Sequence, residues 1–342
     1  MRDFFVIALI SSLLTFVFLV FFRTLAVKAD IFRSKNGTPY VGGIGCAAAF
    51  IAAYSYYLST QNIIIPLQLV WLLVFSFVVL AIELLDDLKD FPLRWRIIIQ
   101  VLVMALYLAV GKRTQIYFFP SWLNYSISFV WIFGITHAFN HLDIADGLCG
   151  GLAFIIALSF LCVSLISSRL FLVALFFSLS ASLAVFLFFN LEPAKVYLGN
   201  SGSHFLGFLL ATLCIYGDYA TLSNLIKLPV PELGLLVPLF ILAFPIIDTF
   251  FLILVRMKKG ILPVKKSDDH IFLLFRRSGY TMRHSLLMIY SVTGLWCVVG
   301  LAIVFGKNVL AFLFFILALV YTAFVIAKAM PKARLSGEVH YG

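Results

Sequence analysis

An all-α, polytopic bundle crossing a membrane is the fold class the sequence predicts, and three observations predict it. The 342 residues are 63% hydrophobic and only 12% charged, and 37 of them are phenylalanine, far from the composition of a soluble globular domain. Apolar runs near the roughly 20 residues that a helix needs to cross a ~30 Å hydrocarbon core recur along the whole length. No sizeable soluble segment is left between them, so residues 1–342 read as one membrane-embedded domain.

Taken in order, the runs predict eleven helices, at about 4–22, 40–60, 63–84, 97–111, 122–139, 149–167, 170–189, 204–222, 233–255, 285–305 and 308–328, with ten as the alternative count. The first run is too long for a signal-peptide core and lacks a small-residue cleavage pattern, so it is expected to be a retained span. Eleven spans put the termini on opposite faces. Of the 25 Lys and Arg, nineteen then fall on one face, in the loops 23–39, 85–97, 190–203 and 256–284 and in the tail, against six on the other. By the excess of basic residues in cytoplasmic loops, the N-terminus is expected outside and the rich face in the cytoplasm. The formal charge of +10 therefore reads as topology plus attraction to anionic lipid or phosphate, not as a nucleic-acid footprint. The cysteines at 46, 149, 162, 214 and 297 form no CxxC pair, and neither a disulfide framework nor a zinc site is expected.

The same walk places every polar, glycine-rich stretch on the cytoplasmic face. In "LDDLKDFPLRWR", Asp86, Asp87 and Asp90 repel one another unless a cation joins them, which suits Mg²⁺, a hard ion that shares oxygen ligands with phosphates. The plain alternative is a charge cluster ending a span. "FNHLDIADGLCGG" sets Asn140, Asp143 and Asp146 at a spacing of three on one helix face, ahead of Gly147, Gly150 and Gly151; helix capping is its plain reading. "YLGNSGS" places Gly199, Ser201, Gly202 and Ser203 before an apolar helix, where backbone N–H groups favour an anion. The last loop gathers Lys258, Lys259, Lys265, Lys266, Arg276, Arg277 and Arg283 around His270, enough basic charge to hold phosphate, although such loops are basic in any case.

Together these motifs resemble the polyprenyl-phosphate N-acetylhexosamine-1-phosphate transferase family, over nearly the whole chain. "KADIFRSKNGTPYVGG" is similar to its first cytoplasmic loop; "DDLKD" with Arg94, Arg96 and Gln100 to its aspartate signature; and "FNHLDIADGLCGG" to its Asn-rich, Asp-Gly segment. "NLEPAKVYLGNSGSHFLGF" is similar to its glycine loop, "FPIIDT" to its span ending in Asp-Thr, and "HIFLLFRRSG" to its histidine loop. The chain looks like a divergent member. Cys149 stands where a second Asp is expected, Asn200 where the glycine loop has a metal-binding aspartate, and Phe272 and Leu273 where two further histidines are expected.

The resemblance implies an enzyme: a polyprenyl (undecaprenyl) phosphate attacks the β-phosphorus of a UDP-N-acetyl sugar and releases UMP, initiating a cell-envelope glycan such as cell wall or lipopolysaccharide. It implies Asp86, Asp87 and Asp146 as catalytic, and Asn140, Asn190, Lys195, Gly199, Ser201, Gly202 and His270 as substrate-binding. Asp146, Asp143 and Asn200 are the implied metal ligands, with Asp143 expected to make up the charge missing at Asn200. The expected cofactor is Mg²⁺, with Mn²⁺ as substitute. The expected partners are the UDP-sugar, the polyprenyl phosphate, membrane lipids and a second copy of the chain, but no nucleic acid. The expected location is the inner membrane of a bacterium, with the site facing the cytoplasm. Two other classes stay open: a transporter of a lipid-linked or anionic solute, and a relative that has lost catalysis and binds lipid or scaffolds glycan assembly.

Overall fold

The computed structural model describes residues 2–32, 34, 36–89, 92–217, 236–260 and 269–335. They fall into two compact units, Met1–Leu222 and Ser223–Gly342. Arg33, Lys35, Asp90, Lys227, Lys265 and Lys266, the end of the run 204–222 and the start of the run 233–255 lie outside the described residues.

The first unit holds α1 (Arg2–Ala29), α2 (Gly42–Thr60), α3 (Leu67–Lys89), α4 (Leu93–Val110), α5 (Ser121–Leu142), α6 (Leu148–Ile166), α7 (Leu170–Asn190) and α8 (Gly199–Tyr216). The second holds α9 (Leu236–Ile241), α10 (Ala243–Lys258), α11 (Ile271–Arg277), α12 (Met282–Val304) and α13 (Asn308–Leu335). Seven of these, α1, α3, α4, α6, α7, α12 and α13, are long and apolar enough to cross a membrane. The chain is a polytopic helical membrane protein.

Several helices outrun the apolar segments that announce them. α3 continues from the apolar edge near residue 84 to Lys89, and α5 from 139 to Leu142. Backbone hydrogen bonding carries a helix past the point where hydrocarbon stops demanding apolar side chains, so hydropathy marks the span and not the helix end. Asp86 and Asp87 consequently lie within the last turns of α3.

The run 233–255 departs the other way, splitting at Leu242 into α9 and α10. Pro245 has no N–H to return to the carbonyl of Ile241. That carbonyl instead accepts from the thiol of Cys297 on α12, at 3.7 Å. The short helix α11 lies in a basic loop whose residues carry no apolar run of spanning length.

α8 is the hub of the first unit, packed against α3, α5 and α2. Every residue of it except Asn200 and Ile215 is buried. Trp131 of α5 donates from Nε1 to the carbonyl of Ala211, at 3.1 Å. α1, α7 and α2 are joined by small hydroxyl residues. Ser11 donates to the Ser178 carbonyl at 2.7 Å, Thr15 to the Ser182 hydroxyl at 2.9 Å, and Ser182 to the Cys46 carbonyl at 3.2 Å. Where lipid gives helices little hydrophobic reason to associate, such bonds and close small-residue contacts hold them together.

The tightest approach is α2 on α8. The amides of Gly42 and Gly43, at the start of α2, donate to the carbonyls of Tyr197 (2.9 Å) and Leu198 (3.0 Å), just ahead of α8. A Cβ on Gly202 would stand 2.6 Å from the Cα of Gly43, and one on Gly43 would overlap Gly202. Overpacking of this kind costs about 1–3 kcal/mol or more. Gly43→Val should therefore lower the unfolding temperature of the detergent-solubilised protein, read by heating followed by size-exclusion chromatography. Gly134→Ala, where a Cβ would meet nothing within 4 Å, should leave that temperature unchanged or slightly raised.

Candidate active site

The site is built on the first turn of α8. The opening N–H groups of a helix have no partner within it and carry a partial positive charge. Leu198, at the N-cap position, supplies no side-chain bond to them. Asp87 of α3 does so from outside: its Oδ1 accepts from the amide of Asn200 at 3.1 Å and its Oδ2 from the amide of Ser201 at 3.0 Å. Gly199 enters the turn at φ +81°, a left-handed conformation that favours glycine. α8 can thus begin at Gly199 instead of near 204, drawing the glycine motif into its first turn.

Asp86 faces a different set of partners. Its Oδ2 accepts from the side-chain amide of Asn200 at 3.2 Å and pairs with Nη1 of Arg96 at 2.9 Å. The other arm of Arg96, Nη2, lies 3.0 Å from Oε2 of Glu83, which also accepts from Gln100. Nδ1 of His204 bonds the Asn200 carbonyl at 2.9 Å and lies 3.5 Å from Glu83.

The second acidic stretch is a turn and not a continuous helix face. α5 ends at Leu142, Asp143 caps it at φ −84°, ψ 54°, and Gly147 (φ 76°) turns the chain into α6. The expectation that Asn140, Asp143 and Asp146 share one helix stripe is corrected accordingly. They are nonetheless gathered at the same end of the unit, by contacts with the 190–203 stretch. The Gly199 amide favours the ionised form of the Asp143 carboxyl. Ala194 donates its amide to Oδ2 of Asp146 at 3.0 Å, and Ser203 its hydroxyl to Oδ1 of Asn140 at 3.3 Å. Asn190 ties the two stretches, accepting from the amide of Gly147 and donating to the Val196 carbonyl, each at 3.0 Å. Lys195 is exposed, Ser201 is buried, and Gly202 lies in the contact with Gly43.

Cys149, where a second Asp is expected, is buried within α6, with its thiol donating to the Phe139 carbonyl at 3.4 Å.

Electrostatically the two sides of α8 differ. Asp86 has Arg96 beside it. Asp143 is pushed up to about 7, by burial first and then by the charges of Asp87 and Asp146, against the pull of the Gly199 amide. The Tyr40 hydroxyl is also raised, by burial and then by Tyr197, Asp87 and Asp143. Its ring lies 5.6 Å from that of Tyr197. Among the described residues no three His, Cys, Asp or Glu side chains meet closely enough to hold a metal unaided. The crowded carboxylates, all oxygen donors, fit a hard divalent cation that takes one or two of them and completes its shell with water and phosphate. Sequence reasoning missed Glu83, His204, Tyr40 and Tyr197. Glu83 was the one signal available, an acid closing an apolar run thirteen residues before Arg96.

In the second unit, Asp248 of α10 and His270 meet. Nδ1 of His270 lies 2.8 Å from Oδ2 of Asp248, whose Oδ1 accepts the amide of Ile271 at 3.0 Å. Both groups are buried. The carboxylate caps the start of α11 and holds the imidazole by the same side chain. Phe272 is buried within α11, and Lys259 pairs with Asp269 at 2.7 Å.

Residues 69–218 match the sequence pattern of glycosyl transferase family 4. A probable undecaprenyl-phosphate N-acetylglucosaminyl 1-phosphate transferase of Bacillus subtilis is 28% identical, over 84% of this chain and 81% of its own length. The undecaprenyl-phosphate α-N-acetylglucosaminyl 1-phosphate transferase of Escherichia coli K12 is 26% identical, over 96% and 92%. That of Yersinia pestis is 26% identical, over 94% and 91%. Residues 69–218, which carry both acidic stretches and the start of α8, are thus similar in sequence to glycosyl transferase family 4, and the relatives named above extend that similarity over most of the chain.

Proposed function

We propose that the protein transfers an N-acetylhexosamine 1-phosphate from a UDP-sugar to undecaprenyl phosphate and releases UMP, as the first step of a cell-envelope glycan. An oxygen of the lipid phosphate bonds to the β-phosphorus of the UDP-sugar, and the bond from that phosphorus to the bridging oxygen of UMP breaks. The observation that carries this reading is the first turn of α8, enclosed by carboxylates from α3 and from the α5–α6 turn. The relatives named for this reaction support it.

Phosphoryl transfer asks mainly for positioning and for neutralisation of charge. Asp87 fixes the α8 turn, and Asp86, held by Arg96, orients the Asn200 side chain. Asp146 has one oxygen committed to the Ala194 amide and is the group proposed to take the lipid-phosphate proton or to hold a metal with Asp143 and Asn200. Bound there, Mg²⁺ or Mn²⁺ supplies electrostatic stabilisation of the transferring phosphates. Lys195, exposed beside the turn, and His270 are proposed to hold substrate phosphate.

The chain is further proposed to have eleven spans in a bacterial inner membrane, N-terminus outside, with this site at the cytoplasmic surface. Two things favour that arrangement: the charge asymmetry of the loops, and the meeting of the C-terminal ends of α3, α5 and α7 with the N-terminal ends of α2, α4 and α8. There a lipid tail stays in hydrocarbon while its head meets a soluble nucleotide.

Purified protein given UDP-N-acetylglucosamine or another UDP-N-acetyl sugar and undecaprenyl phosphate should release UMP, stop with EDTA and resume with Mg²⁺. Movement of labelled solute across a vesicle wall without any UMP would overturn the enzyme reading. Asp87→Asn and Asp146→Asn should each lower kcat by about 10²–10³, the range for loss of one preorganised electrostatic group. Asp143→Asn should come close to abolishing turnover, and adding Asn200→Asp should restore part of it; undiminished turnover in Asp143→Asn alone would refute compensation. His270→Ala should cost about 10- to 100-fold in kcat/KM, as expected for one charge-assisted hydrogen bond.

A further inference from the structure

We propose that Glu83 is a positioning residue that holds Arg96 on Asp86 and so keeps the guanidinium from binding the substrate's phosphates; this rests on the function proposed above. Glu83 is fully buried on α3, three residues before Asp86 and thus on the same helix face. Its two oxygens are both engaged, Oε2 by Nη2 of Arg96 at 3.0 Å and Oε1 by the side-chain amide of Gln100. Arg96 and Gln100 stand one turn apart on α4, so a single carboxylate on α3 grips two donors of the neighbouring helix. The grip aims the remaining arm of the guanidinium, Nη1, at Oδ2 of Asp86, 2.9 Å away.

Arg96 has the wrong surroundings for a phosphate ligand in this pose. A guanidinium recognises phosphate through two parallel N–H groups in a planar fork. Here each Nη is given to a different carboxylate, and Nε is buried without a partner among the described residues. The side chain is still 19% exposed, so only the pairing prevents it from turning a two-pronged edge towards a diphosphate. Without Glu83, Arg96 would keep one carboxylate, gain freedom about its own axis and add one positive charge to the site. Anionic nucleotide would then bind more tightly, while Asp86 and the Asn200 amide it accepts would lose their fixed orientation.

A purely structural Glu83 makes a different prediction, because loosening the helix contact would weaken nucleotide binding and turnover together. Glu83→Gln preserves the shape but removes the charge that grips Arg96. UDP titrated calorimetrically into monodisperse protein serves as the probe, alongside UMP release. Glu83→Gln should bind UDP at least about threefold more tightly and turn over at least about tenfold more slowly, a split between binding and kcat. In Glu83→Gln with Arg96→Gln the tightening should vanish. Should Glu83→Gln fail to give monodisperse protein, Glu83→Asp, which keeps the charge but shortens the reach, should show the same split in smaller degree. Unchanged or weaker UDP binding in the folded variant overturns the proposal, as does tightening that survives loss of Arg96. Wild-type protein that binds UDP but releases no UMP sinks the transferase reading alone, and the UDP comparison still decides the role of Glu83.

Discussion

A carboxylate reaching across from one helix to the bare start of another is the interaction on which the first unit turns. Asp87 takes two amides that α8 cannot satisfy itself, and in doing so it fixes where α8 begins. Because α8 is buried nearly throughout, its first residue also fixes the height at which Asn140, Asp143 and the 190–198 stretch meet it. The amides of Gly42 and Gly43 lock onto the carbonyls immediately upstream of the same turn. Without the external cap, four elements would lose a common reference point, and polar groups near the membrane would be left without partners.

Charge around that turn is deliberately uneven. On the Asp86 side a permanent cation, Arg96, is shared between two acids, and a side-chain amide of Asn200 completes the arrangement. On the Asp143 side like charges crowd together, offset among the described residues by backbone amides. A protein gains nothing in stability from such crowding, since each added carboxylate raises the cost of ionising its neighbour. The arrangement makes physical sense when a mobile cation or a cation–phosphate complex completes it.

Much of this was legible in the sequence, for identifiable reasons. Apolar runs announce helices because hydrocarbon tolerates little else, and a charged residue in such a chain is conspicuous. Asp86, Asp87, Asp143 and Asp146 could therefore be singled out by eye. What hydropathy cannot see is where a helix stops once it leaves the apolar layer, so Asp86 and Asp87 were assigned to a loop and the glycine motif to a linker. Nor can spacing tell a helix from a cap and turn, which is why Asn140, Asp143 and Asp146 suggested a stripe. Glu83 and His204 escaped because a lone polar residue at the edge of an apolar run has no local pattern. Their partners lie in other helices, and pairing across helices is a tertiary fact.

The Gly42–Tyr197 and Gly43–Leu198 bonds also have a meaning in time. α2 is made early, yet the carbonyls that satisfy its first amides lie about 150 residues further along. At roughly 5–20 residues per second, synthesis leaves those donors waiting on the order of 10–30 s. For that interval the start of α2 must stay in contact with water or headgroups, and its glycines, which later permit the close fit to α8, make it a poor helix start meanwhile. Full seating of α2 is therefore a late event in the birth of this protein, completed only when the turn that carries the site has itself been made.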